Sequence, residues 1–182
     1  IPNACNRCHP DKSVDWSLEY VEKWYGAKMD RPSRTRAQVV AQARKGDDKA
    51  VVPLLTMAHG ETNPLWRATA TILLRRWCQE TNVTRALIEQ TKDADPLVRA
   101  MAVRGLDMLV PRQDPAVFSA LSRLLGDPAR LVRVDAAWAL RATVNTNSTA
   151  FTDLVRYLRH GADQPGGALQ VAILYLDRGD AD

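Results

Sequence analysis

The first chemistry-bearing residues of the chain stand close together: Cys5, Cys8 and His9, within the stretch IPNACNRCHPDKS. Two thiols three positions apart can each form a thioether with one of the two vinyl groups of a single porphyrin. The imidazole beside the second thiol can then turn to the iron. C-x-x-C-H is therefore the attachment pattern of a c-type haem, with Cys5 and Cys8 as covalent anchors and His9 as proximal iron ligand. Three other chemistries draw on the same residue types. A zinc site needs a fourth ligand, and no second C-x-x-C or histidine pair is present. A thioredoxin-like dithiol needs a βαβ setting. A structural disulfide, or a pair of idle thiols, needs nothing further.

The remaining candidates are few. Trp16, Tyr20 and Trp24 are spaced by four and share one helix face, with Tyr25 next to the last of them. Such a stripe can wall a haem, but ordinary docking of the helix onto the body of the protein is the preferred reading. His59 and His160 are the only other histidines, and each is followed by a glycine at an expected helix end. A cation near the negative end of a helix explains both, so the sixth iron ligand is expected from outside this sequence. Cys78, in RRWCQE, reads as a small buried hydrophobe. No paired carboxylates, nucleophile–base set or phosphate loop stands out, and GADQPGG (161–167) reads as a linker, so no enzyme is expected in these residues.

The rest of the chain says what could hold such a cluster. Its 182 residues are 46% hydrophobic and 25% charged, the balance of a folded domain with a real core. The net charge is +4, and the arginines are spread at helical spacing rather than massed, which argues against a nucleic-acid partner. No run of 18 apolar residues occurs, so no membrane span is expected. The sequence begins at Ile1, without an initiator methionine, and is expected to be a processed protein or a piece of a longer one.

The body repeats itself. NPLWRATATILLRRW, DPLVRAMAVRGLDML and DPARLVRVDAAWALRAT begin at Asn63, Asp95 and Asp127, with Pro64, Pro96 and Pro128 at intervals of 32 residues. Asn or Asp can cap a helix, and proline at the next position has no N–H to waste. Apolar residues then recur at steps of three and four, as one buried face. Shorter helices, starting near Asp48, Asn82, Asp114 and Ser148, alternate with these. No stretch alternates as a strand would. The expected fold is all-α, an α-solenoid of helical hairpins from about Arg34 to about Arg178. Its predicted core comprises Leu54, Leu55, Ile72, Leu73, Leu87, Ile88, Val98, Ala102, Leu106, Leu121, Leu125, Val132, Ala136, Leu140, Leu154 and Leu158.

D-P-x-V-R-x-x-A with a small-residue helix resembles HEAT-like repeats, over roughly residues 48–160. The resemblance makes Arg67, Arg99 and Arg133 the arginine that ties one repeat to the next, each reaching an acidic side chain or a helix-end carbonyl. The third copy departs from the pattern by two extra residues, Ala129 and Arg130. PGGALQVAILYLDRGDAD (165–182) resembles the first helix of a tetratricopeptide repeat, with Tyr175, Gly179 and Asp180 on its Y-x-x-x-G-D ending. PNACNRCHPDKSVDWSLEYVEKWYG (2–26) resembles the last haem-binding segment of large multihaem cytochromes c that combine C-x-x-C-H motifs, HEAT-like repeats and tetratricopeptide repeats. That resemblance implies three parts: a haem-binding segment and its helix (1–26), helical repeats (27–160), and the start of a tetratricopeptide-like helix (161–182). It also implies haem c as cofactor, a bacterial, exported (periplasmic) electron-transfer protein, and other haem segments of the same parent chain as partners. In a fragment without haem the start from Ile1 to about Pro10 is expected to be mobile, or held only by a Cys5–Cys8 disulfide or a crystal contact. The alternative function is a non-catalytic interaction scaffold whose cysteine pair is structural.

Overall fold

The computed structural model describes residues 4–179. Ile1 and Asp180, which carry two of the expectations above, lie outside them. Among the described residues every regular element is helical. Two helices come first, α1 (Ala4–Cys8) and α2 (Val14–Tyr25). The body comprises α3 (Pro32–Lys45), α4 (Val51–Gly60), α5 (Pro64–Leu74), α6 (Thr81–Gln90), α7 (Pro96–Leu106), α8 (Pro115–Leu124), α9 (Arg130–Ala139), α10 (Thr149–His160) and α11 (Pro165–Arg178). Short 3-10 turns join several of them.

The body is an α-solenoid of HEAT type in two layers. Helices α3, α5, α7, α9 and α10 pack side by side in one row, while α4, α6 and α8 form a second row across from it. Prolines open α3, α5, α7, α8 and α11 at the first helical position, where their missing N–H costs nothing. Asn63, Asp95 and Asp114 accept backbone N–H bonds at the starts of α5, α7 and α8. Gly46, at φ 77°, closes α3 in the left-handed conformation that an L side chain resists.

Apolar burial falls into two clusters. The larger runs from Val39 to Leu140 and is centred on Leu54, Leu74, Leu87, Leu106 and Leu121. The smaller joins Val134 and Ala137 of α9 to Leu154 and Leu158 of α10 and Leu174 of α11. Most of the predicted core is buried. Leu55, Ile72, Leu73, Ile88 and Leu125 are only partly so, and Leu74 was not foreseen. On α5 the buried side comprises Ala68, Ala70, Thr71 and Leu74. Thr71 hides this side from a hydrophobicity reading. It tolerates burial because its hydroxyl donates to the Arg67 carbonyl at 2.8 Å.

A ladder of arginines runs along the first row. Arg67 on α5 makes a two-pronged contact with Asp93, at 2.8 and 2.9 Å, and also donates to the carbonyls of Glu61 and Thr62. Arg99 on α7 repeats this with Asp127, at 2.7 and 2.8 Å, and the carbonyls of Asp93 and Ala94. Arg133 on α9 does so with Asp153 on α10 and the carbonyls of Asp127 and Pro128. Each guanidinium thus pins the loop behind it and the acid ahead of it. A fourth rung was missed in the sequence: Arg36 on α3 holds Glu61 at 2.7 and 2.8 Å.

The ladder corrects the register of the third copy. Asp127 occupies the place of Asp93, not of Asp95, and α9 begins two residues later than α7, with Ala129 at the cap position. The side-chain oxygen of Asp127 accepts from Ala129 N–H at 2.8 Å, as that of Asp93 accepts from Asp95 N–H. The 32-residue spacing of Pro128 therefore does not mark an equivalent helix start.

Candidate functional site

In α1 the Cys5 and Cys8 side chains lie one turn apart, and both are free thiols. Cys5 is half-buried and Cys8 exposed. His9 stands at the end of the turn, its backbone N–H donating to the Cys5 carbonyl at 2.9 Å. Asn6, inside the motif, fixes this segment to the start of α2. Its amide donates to the Lys12 carbonyl at 2.7 Å, and its oxygen accepts from the buried Ser17 hydroxyl at 3.0 Å. Ser13 caps α2 by accepting from Trp16 N–H at 3.0 Å. Ordinary cap chemistry could have pointed to Ser13, whereas nothing in the spacing marks Asn6.

The aromatic stripe departs from the preferred expectation. Trp16, Tyr20 and Trp24 belong to neither hydrophobic cluster of the body. They pack on one another instead, with ring centroids 4.8 and 5.6 Å apart. His9 heads the stripe, its imidazole 5.1 Å from the Trp16 ring. Trp24 is 65% exposed. Helix α2 packs against α1 and the 3-10 turn Gly26–Met29, and an ion pair between Glu22 and Arg34 links it to α3. The imidazole that follows the two thiols thus meets the aromatic face of α2.

These residues fit a covalently held haem. Both thiols are unpaired and accessible, and the imidazole makes no hydrogen bond among the described residues that would have to be broken. They do not fit a closed zinc site, because no group of three or more His, Cys, Asp or Glu side chains able to hold a metal ion occurs among the described residues.

The other candidates sit elsewhere. His59, in the last turn of α4, lies 3.3 Å from the Gln90 amide and 3.8 Å from Glu89, both on α6. His160 ends α10. No hydrogen bond or ion pair joins either to the amino-terminal segment among the described residues. Cys78 is buried in the larger cluster, where burial pushes its thiol up despite Arg112 and Arg75 nearby. Helix α11 ends at Gly179, at φ 74°, and shares the smaller cluster with α10. The sequence division at 160/161 thus falls between two helices of one core.

A profile of the HEAT repeat family matches residues 84–170, from within α6 into α11. No curated protein and no solved structure matches the chain. No helix among the described residues is long and apolar enough to cross a membrane.

Proposed function

We propose that this helical-repeat scaffold carries one c-type haem, covalently held by Cys5 and Cys8 with His9 as proximal ligand, and serves electron transfer. The observation that carries the reading is the C-x-x-C-H turn itself, with both thiols free and an aromatic face beside it that the solenoid does not use. When bound, the haem supplies one-electron oxidation and reduction at its iron. The chain's own residues do the positioning. Asn6 and Ser13 tie the motif to α2, Trp16 limits where the His9 ring can turn, and the Trp16–Tyr20–Trp24 face offers an apolar wall that excludes water.

The same reading makes the protein a bacterial, exported one, with other haem segments of a longer parent chain as its partners and α11 as the first helix of a tetratricopeptide repeat. The reaction, if the parent has one, lies outside these residues. The test is maturation in a periplasm equipped with haem-attachment machinery, followed by mass spectrometry and visible absorption. A mass increase of one covalent haem, with a reduced-minus-oxidised spectrum, is expected. Both should vanish in the Cys5→Ala, Cys8→Ala variant. No increase, under conditions that load a control cytochrome c, overturns the reading and leaves an interaction scaffold.

A further inference from the structure

The edge of the solenoid opposite the arginine ladder holds a cavity of about 560 Å³. It opens between the 3-10 turn Asp107–Arg112, the start of α8 and the end of α9. Pro111, Phe118 and Leu140 supply apolar wall, and Phe118 is 47% exposed although a large aromatic ring is costly to leave in water. Three charged side chains also line it: Asp107, Arg141 and Asp177.

The partners of these charges are unequal. The Arg141 guanidinium bonds Asp177 at 2.6 Å, donates to the Trp138 carbonyl and stacks on the Trp138 ring at 4.7 Å. Its nearest approach to Asp107 is 3.8 Å, beyond hydrogen-bond reach. No donor reaches the Asp107 carboxylate among the described residues, yet that side chain is only 26% exposed. Burial accordingly pushes its carboxyl up, against the opposing pull of Arg141 and Arg75. Asp107 and Asp177 flank the one guanidinium that lines the cavity, while Arg75 acts on Asp107 from outside it. A part-buried carboxylate without a hydrogen-bond donor among the described residues, set beside an apolar wall, is the arrangement that complements a cation on an apolar body.

We propose that this cavity binds a small amphipathic amine, its ammonium group donating to Asp107 and its apolar or aromatic body lying against Phe118, Pro111 and Leu140. The inference is independent of the haem reading, since no residue of the site lies near the C-x-x-C-H segment in sequence or depends on its loading. Anionic ligands are disfavoured because the only guanidinium in the site is already committed to Asp177.

The probe is 2-phenylethylamine, titrated into the full chain and followed by backbone amide shifts. Saturable shifts confined to Val110, Gln113, Phe118 and 141–143 are expected, with a dissociation constant on the order of millimolar, as suits so small a ligand. 2-Phenylethanol, the neutral counterpart, should bind at least about tenfold more weakly to the same unaltered protein. Asp107→Asn should weaken the amine by about the same factor while leaving the alcohol unchanged. The comparison of amine with alcohol needs no variant, so a misfolded variant would not rescue the proposal. Absence of saturation, equal affinity for amine and alcohol, or shifts centred elsewhere would overturn it.

Discussion

At the scale of single residues, the arginines decide most. Asp127 is 5% exposed at its side chain and Arg99 13%. Burial alone would push the Asp127 carboxyl up, but the Arg99 guanidinium and Ala129 N–H outweigh it and hold the group below the usual carboxylate range. Asp93 is held down in the same way by Arg67 and Asp95 N–H. Arg99→Ala would strand a buried carboxylate and two carbonyls. The expected cost is about 2–4 kcal/mol, a drop in Tm of roughly 5–15 °C by calorimetry. Acid should act in two stages. Asp107 and Asp135 have raised folded pKa values, burial being the main cause for both, so their contribution is full below the unfolded pKa and is lost as pH rises through the folded one. Asp93 and Asp127 have lowered values, so theirs is present above the unfolded pKa and is lost as pH falls through the folded one. On acidification from neutral pH, Tm should rise slightly and then fall below about pH 4, where carboxylates ordinarily titrate. Asp107→Asn should flatten the rise and spare the fall. Arg67, Arg99 and Arg133 were legible because each stands at a similar place after a proline. Arg36 was not, because it sits one residue further into α3 than its counterparts in α5 and α7 sit in theirs.

At the scale of elements, caps and prolines made most helix starts readable, and α9 shows where that reading fails. Asp127-Pro128 has the look of a helix start, but the Asp127 side chain is taken by Arg99 and belongs to the loop. The helix then starts at Arg130, with Ala129 offering no side-chain cap. Ala129→Asp should supply what Asp95 gives α7 and raise stability by about 0.5–1 kcal/mol, read as a higher Tm. The aromatic stripe on α2 illustrates the opposite difficulty. Periodicity finds a face but does not say what the face meets. Residues spaced by four can stack on each other as readily as on a neighbouring helix, and the rings of Trp16, Tyr20 and Trp24 do so.

At the scale of the whole molecule, the two apolar clusters meet on α9. Val132, Ala136 and Ala139 face the larger one, Val134 and Ala137 the smaller, and Leu125 touches both. Contacts in the array link neighbours only, so stability should be distributed along it rather than shared equally. Hydrogen exchange followed by mass spectrometry should find α10 and α11 opening at lower free energy than α5 to α7. Uniform protection from α4 to α11 would show a single cooperative unit instead. The all-helical, two-layer plan was visible in the recurring caps, because local contacts dominate such a fold. The candidate site of α1 was visible only as a motif, since the local geometry depends on Asn6, Ser17 and a ring contact at His9 that no repeat encodes.

The rungs of the ladder have a bearing on how such a chain could have grown. Asp93 and Asp127 each meet the arginine of the preceding helix, while their own carbonyls receive the arginine of the next. Both ends of the joint are the same from one unit to its neighbour. Removal of residues 93–126 by unequal recombination would bring Asp127 to the position where Arg67 now finds Asp93. Duplication of the same stretch would set a second Asp93 before α9 to receive Arg99 and a second Arg99 before Asp127. Gain or loss of a unit would leave no ladder arginine without its acid, so the length of the array is free to vary in descent while these joints stay intact.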